Sequence, residues 1–157
     1  MQIHLVFVGK TVFPDVETGI ERYVSRLNHY LPTRIHYVKA EKIPPRGMET
    51  AVLEKECERI LKLIGGKGAQ LIVWDRTGKH LDSLEFARVL ERLSNGSTGA
   101  VWMIIGGPLG ISRELRDRAN LVLSLSEMTF PHDLARLIVA EQLYRAFTII
   151  RGEPYHK

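Results

Sequence analysis

Ala100-Val101-Trp102-Met103-Ile104-Ile105-Gly106-Gly107-Pro108-Leu109-Gly110-Ile111-Ser112 is the stretch that decides the fold. Its first six residues are apolar and uncharged, with Gly99 before them and Gly106 after, the pattern of a strand buried on both faces of a parallel sheet. Three glycines follow at the carboxyl end of that strand, where a backbone without side chains lets amides approach a ligand closely. A second stretch, Leu125-Ser126-Glu127-Met128-Thr129-Phe130-Pro131-His132, opens the most apolar helix of the chain. Two backbone-rich loops beside one core helix imply a small-molecule site.

Working outward, apolar runs at residues 3–8, 34–39, 70–75, 100–105 and 121–125 read as strands. Helical patterns lie between them, near residues 16–30, 48–64, 84–93 and 113–118, with a last helix near 133–150. Asp82 with Glu85 spells a capping box, Ser112 with Glu114 caps the short fourth helix, and Gly65-Gly66 stops the second. This alternation predicts an α/β fold: a single domain, residues 1–157, with a mostly parallel five-stranded sheet and helices on both faces.

A chain of 157 residues and 17.9 kDa is large enough for a real core. At 45% hydrophobic and 25% charged residues, disorder is excluded. A net charge of +4 and a pI near 9.3 permit a nucleic-acid partner without requiring one. The single cysteine, Cys57, rules out an intramolecular disulfide framework and fits a reducing cytoplasm. The first apolar run lacks a basic leader and is far too short to span a membrane, so it reads as a strand of a soluble protein. Residues 39–47 carry Lys39, Lys42, Arg46 and two prolines, a solvated and mobile linker or a nucleic-acid contact.

Several chemistries drop out. Gly9-Lys10-Thr11 resembles the end of a phosphate-binding loop, but His4 stands where that loop needs glycine. The Gly106–Gly110 turn has the wrong spacing for a dinucleotide fingerprint, and Pro108 interrupts it. The histidines show no metal-ligand spacing and no serine sits in a nucleophile elbow, so neither a metal site nor a hydrolase triad is expected. Asp75, at the end of the third apolar strand, is either a ligand-facing carboxylate or the cap of the following turn.

On a helical wheel of residues 133–150, Glu141, Gln142, Arg145 and Thr148 share one polar sector. Arg136 falls opposite, amid Val139, Ala140, Leu143, Phe147 and Ile150. A guanidinium there is costly unless paired, so it is a structural ion pair or a functional group. Apolar residues surround most of this helix and imply burial against more than one neighbour, a second subunit among the possibilities. The polar tail Arg151-Gly152-Glu153-Pro154-Tyr155-His156-Lys157 would ordinarily fray, although Tyr155 and His156 suit stacking on a base.

Ile105-Gly106-Gly107-Pro108-Leu109-Gly110, residues 123–132, Glu141-Gln142-Leu143-Tyr144-Arg145-Ala146 and the terminal Pro154-Tyr155-His156 together resemble the RlmH family, over essentially the whole chain. These are SPOUT-class methyltransferases that act on pseudouridine in large-subunit ribosomal RNA. The resemblance implies a C-terminal trefoil knot holding S-adenosyl-L-methionine, a homodimer, and a cytoplasmic enzyme with no metal. It implies methyl transfer to N3 of a pseudouridine in the helix-69 stem-loop of 23S ribosomal RNA, on assembled ribosomes. Its cofactor positions fall on Trp74, Gly106, Gly107, Leu125, Ser126, Glu127, Met128, Thr129 and Phe130, with backbone groups holding adenine and ribose. Trp74 stands where a smaller aliphatic residue is expected. Candidates for the proton acceptor or orienting group are Arg136, His132, Tyr155 and His156. The rival reading, a ribosome-binding module of the same fold without catalysis, is disfavoured by the intact glycine turn and the tail.

Overall fold

The computed structural model describes residues 1–65 and 68–157; Gly66, half of the expected helix stop, lies outside them. Strands β1 (Gln2–Val8), β2 (Thr33–Val38), β3 (Gln70–His80), β4 (Ala100–Ile105) and β5 (Leu121–Ser124) alternate with helices α1 (Pro14–Leu27), α2 (Glu49–Ile64), α3 (Ser83–Asn95), α4 (Arg113–Arg118) and α5 (His132–Ile150). The strands form one sheet in the order β2-β1-β4-β3-β5, and every pairing is parallel. Parallel neighbours cannot be joined by tight turns, so each connection carries a helix across the sheet.

The two faces follow from the alternation along each strand. Ile3, Leu5 and Phe7 of β1 and Val101, Met103 and Ile105 of β4 point to a core shared with α1, α3 and α5. Val6, Val8 and Ile104 point the other way, to Cys57 and Ile60 of α2 and Leu115 of α4. β4 sits at the centre, which is why its sequence is apolar without interruption. Its glycine turn therefore emerges in the middle of the sheet's carboxyl edge.

The expected helix signals hold in detail. Asp82 accepts the Glu85 amide at 2.7 Å while Glu85 accepts the Asp82 amide at 3.0 Å, completing the capping box. Ser112 accepts the Leu115 amide at 3.2 Å. α1 starts earlier than its apolar pattern, at Pro14, whose fixed φ suits a first helical position.

β3 differs most from expectation. It continues past Asp75 to His80, pairing Trp74 with Leu123 and, after an irregularity, Lys79 again with Leu123 and His80 with Ser124. Residues 75–78 thus bulge out of the β3–β5 pairing. A Cβ at Gly78 would lie 2.4 Å from the Leu123 carbonyl carbon, so only glycine admits this approach.

α5 packs against α1 and α3 as well as the sheet, and this accounts for apolar residues on several of its sides within one chain. Thr148, expected in the polar sector, is fully buried, its hydroxyl donating to the Arg145 carbonyl at 2.7 Å. The tail covers that sector: the Glu153 amide donates to the Thr148 carbonyl at 2.9 Å. The terminus is docked, not frayed. Among the described residues, no helix is long and apolar enough to cross a membrane.

Candidate active site

A cleft of about 1190 Å³ opens along the carboxyl edge of β3, β4 and β5, where open α/β sheets bind ligands. Three connections wall it: residues 74–77 after the regular part of β3, residues 105–114 after β4, and residues 124–132 between β5 and α5. Thr50, Leu53 and Glu54 of α2 close one side.

The glycine turn is built for close packing. The Gly110 amide donates to the Gly107 carbonyl at 3.0 Å, and Gly110 has φ of +84°, so Pro108 and Leu109 form the tip of a tight turn. A Cβ on Gly106 would sit 2.3 Å from the Gly110 carbonyl oxygen. At Gly107 the nearest atom to a Cβ would be Val8 Cγ1 at 3.4 Å, an ordinary contact. The steric demand expected of both glycines rests on Gly106.

The third wall is pinned by two serine hydroxyls. The Ser124 hydroxyl donates to the Ser126 carbonyl at 2.9 Å, and the Ser126 hydroxyl accepts the Met128 amide at 3.0 Å. Leu125, Ser126, Met128, Thr129 and Phe130 line the cleft, whereas Glu127 is exposed and does not.

Trp74 stands between this cleft and a second cavity of about 330 Å³, bordered by Asp82, Ser83, Phe86, Ile138 and Gln142. Its ring meets Phe86 edge-on at 5.4 Å, and its Nε1 is buried without a partner in the protein. An indole N–H in that position suits a ligand acceptor. Asp75 takes the turn-capping role: one carboxylate oxygen accepts the Thr77 amide at 2.9 Å and hydroxyl at 2.6 Å, the other lies 3.4 Å from Arg116 Nη1. Burial opposes its charge, but Thr77 and Arg116 outweigh that and hold the carboxyl below its ordinary range.

Of the four candidates for proton transfer, the chain brings only His132 to the cleft. Its Nε2 lies 3.2 Å from Asp133 Oδ1. Burial, together with the charge of Arg136, lowers its pKa against the pull of Asp133, keeping the imidazole neutral at pH 7.

Arg136 lies behind this site, fully buried. Its Nη1 donates to Asp133 Oδ1 at 3.1 Å and to the Thr11 hydroxyl at 3.2 Å, its Nη2 to the Val8 carbonyl at 2.6 Å, and its guanidinium stacks 5.0 Å above Phe7. This is the ion-pair alternative, and it leaves no surface for a substrate. Tyr155 and His156 follow the other end of α5, and Tyr155 reaches back only to Glu141, nine residues or about 13 Å along the helix from His132. Tyr155 donates to Glu141 at 3.1 Å and packs edge-on against Tyr144 at 4.8 Å; His156 Nδ1 is buried without a partner.

Asp133 was not among the sequence candidates, yet it organises this corner. It is 2% exposed, binds Arg136 and the Val12 amide at 2.7 Å, and lies 3.2 Å from His132. The spacing of Asp133 and Arg136, one helical turn apart, was the available signal.

Comparison with known proteins agrees with this geometry. The family model described as "Predicted SPOUT methyltransferase" matches residues 1–156. The chain is 97% identical, over the full length of both, to the ribosomal RNA large subunit methyltransferase H of Syntrophobacter fumaroxidans. The chain belongs to the RlmH family of SPOUT methyltransferases. The RlmH protein of Acetivibrio thermocellus is 42% identical, again over the whole of both chains. A probable methyltransferase from Bordetella pertussis shares the fold with a TM-score of 0.57 at 13% identity, over 92% of this chain and 95% of that one. RlmH membership and the all-parallel sheet confirm the fold class expected from the sequence.

Proposed function

We propose that this protein transfers a methyl group from S-adenosyl-L-methionine to N3 of a pseudouridine in the helix-69 stem-loop of 23S ribosomal RNA. The observation that carries the reading is the cleft at the carboxyl edge of β4, walled by its glycine turn, with His132 at its border, in a chain of RlmH sequence. The groups present suit the cofactor. The backbones of residues 106–107, 125–126 and 128–130 offer amides and carbonyls to adenine and ribose, Trp74 offers an unpartnered N–H, and Ile105, Ile111 and Phe130 supply apolar walls. When bound, the cofactor supplies an electrophilic methyl group on a sulfonium.

The chain then has two tasks: to align the base and to take its N3 proton. His132, neutral at pH 7 and set beside Asp133, is the acceptor we assign to that proton. Arg136 acts only by fixing Asp133. A homodimer, in which the tail of a second copy brings Tyr155 and His156 to the cleft, answers their distance from His132 within one chain. The same reading places the chain in one domain, ties its C-terminal part in a trefoil knot, and sets the enzyme in the cytoplasm on assembled ribosomes.

Labelled cofactor, offered with large ribosomal subunits and separately with an isolated stem-loop, tests this. Methylation of subunits well above the stem-loop supports the reading; equal rates refute the preference for assembled ribosome, and no transfer to either refutes the function.

A further inference from the structure

The segment joining β2 to α2, residues 39–48, carries charge for which the cleft has no use. Lys39, Lys42 and Arg46 are exposed, as is Lys10 at the tip of β1, and none of the four forms an ion pair among the described residues. They share one edge. The Gly9 amide donates to the Val38 carbonyl at 2.8 Å, and a Cβ on Gly9 would lie 3.3 Å from that of Ala40, so Lys10 and Lys39 leave the sheet side by side. Val8 abuts Gly107 of the cleft turn, and Thr50, in the first turn of α2, lines the cleft itself.

The segment is also held in place, in contrast to the mobile linker the sequence suggested. Arg59 donates to the Lys39 carbonyl at 2.9 Å and pairs with Glu41. The Glu41 amide donates to the buried Glu56 carboxylate at 2.9 Å. At the far end, the Gly47 amide donates to Glu49 at 2.8 Å and the Met48 amide to the Pro45 carbonyl at 3.2 Å. Glu41, Glu49 and Glu56 are thus engaged by the backbone or by Arg59, and none makes an ion pair with Lys10, Lys39, Lys42 or Arg46. Cations on a pre-ordered loop lose little conformational entropy when they meet a polyanion.

We propose that Lys10, Lys39, Lys42 and Arg46 form a phosphate-docking surface that seats the RNA backbone of the substrate at the rim of the cleft. The inference rests on the reading of RNA as substrate. Contacts of this kind supply affinity and orientation, not sequence discrimination.

The test compares Lys42→Ala/Arg46→Ala with Lys62→Ala/Arg88→Ala, which removes the same charge from exposed positions on α2 and α3. KM for large ribosomal subunits is measured across a salt series, and S-adenosyl-L-methionine affinity by calorimetry. The loop variant should raise KM about tenfold and lower the slope of log KM against log salt by about 1.4–1.8, the loss of two phosphate contacts. Turnover at saturation and cofactor affinity should stay at wild-type values, and the control variant should match wild type throughout. An unchanged KM, an equal effect in the control, or a raised KM with an unchanged salt slope would each overturn the surface. A wild type that does not methylate subunits would instead overturn the RNA reading, and the surface with it.

Discussion

Arg136→Met removes a charge from the interior while keeping most of the side chain's volume. Three bonds are lost, to the Val8 carbonyl at 2.6 Å, Asp133 at 3.1 Å and Thr11 at 3.2 Å. Breaking a buried pair by removing one partner costs about 3–5 kcal/mol, because the other charge is left behind. Asp133 keeps the Val12 amide at 2.7 Å, which places the cost near the lower end, about 3 kcal/mol. At about 2–4 °C per kcal/mol for a chain of this size, the melting temperature should fall by about 6–12 °C. Calorimetry reads the melting temperature, and titration with S-adenosyl-L-methionine at low temperature should show unaltered affinity. Adding Asp133→Asn, which removes the stranded charge yet retains an acceptor for Val12, should recover part of the loss. A variant that melts within about 2 °C of wild type but has lost turnover would refute the structural assignment and restore Arg136 as a catalytic group.

His132→Asn should reduce methyl transfer by about 10²- to 10⁴-fold with cofactor affinity intact. Because burial, with the charge of Arg136, lowers the His132 pKa, wild-type turnover should fall on acidification at a pH below that of an ordinary imidazole; a pH–rate profile checks this. On the face packed against α2, His4 Nδ1 lies 2.8 Å from His36 Nε2 and the His4 ring stacks on Trp102 at 4.1 Å. Burial first, then like charge, lowers both pKa values, so the unfolded chain binds protons the native state refuses. Stability should be full above pH 6.5 and fall below it, and His4→Phe should flatten that fall in melts between pH 7 and 5. Gly106→Ala should fail to fold or lose the cofactor, since its Cβ meets a carbonyl at 2.3 Å, whereas Gly107→Ala should bind cofactor normally. Equal titrations for the two alanine variants would contradict the geometry of the turn.

Apolar runs made the sheet readable, because a strand covered on both faces announces itself in composition. β4 appears at its expected bounds for that reason. The second half of β3 was not readable: Arg76-Thr77-Gly78-Lys79-His80 has no apolar alternation, and its pairing with β5 is a matter of backbone and of one glycine. The cleft loops were legible as glycine-rich and irregular backbone next to core elements. Within the site, the side chains were less so. Asp133 gains its meaning from Val12 and Phe13, which the chain supplies from the far end of the sequence, and no local pattern encodes that. Arg136 was flagged by an apolar stripe, but the stripe could not tell a sealed ion pair from a reacting group. The tail's docking depends on Glu141 and Tyr144, which hold Tyr155, and on Tyr30, which donates to Glu153 from the far end of the sequence.

Mass-spectrometric mapping of large-subunit RNA after incubation with the protein and S-adenosyl-L-methionine tests the central claim most directly. The account predicts one added methyl group, on N3 of a helix-69 pseudouridine, and its loss in His132→Asn. A methyl group on another nucleotide, or the same product undiminished without His132, would contradict it.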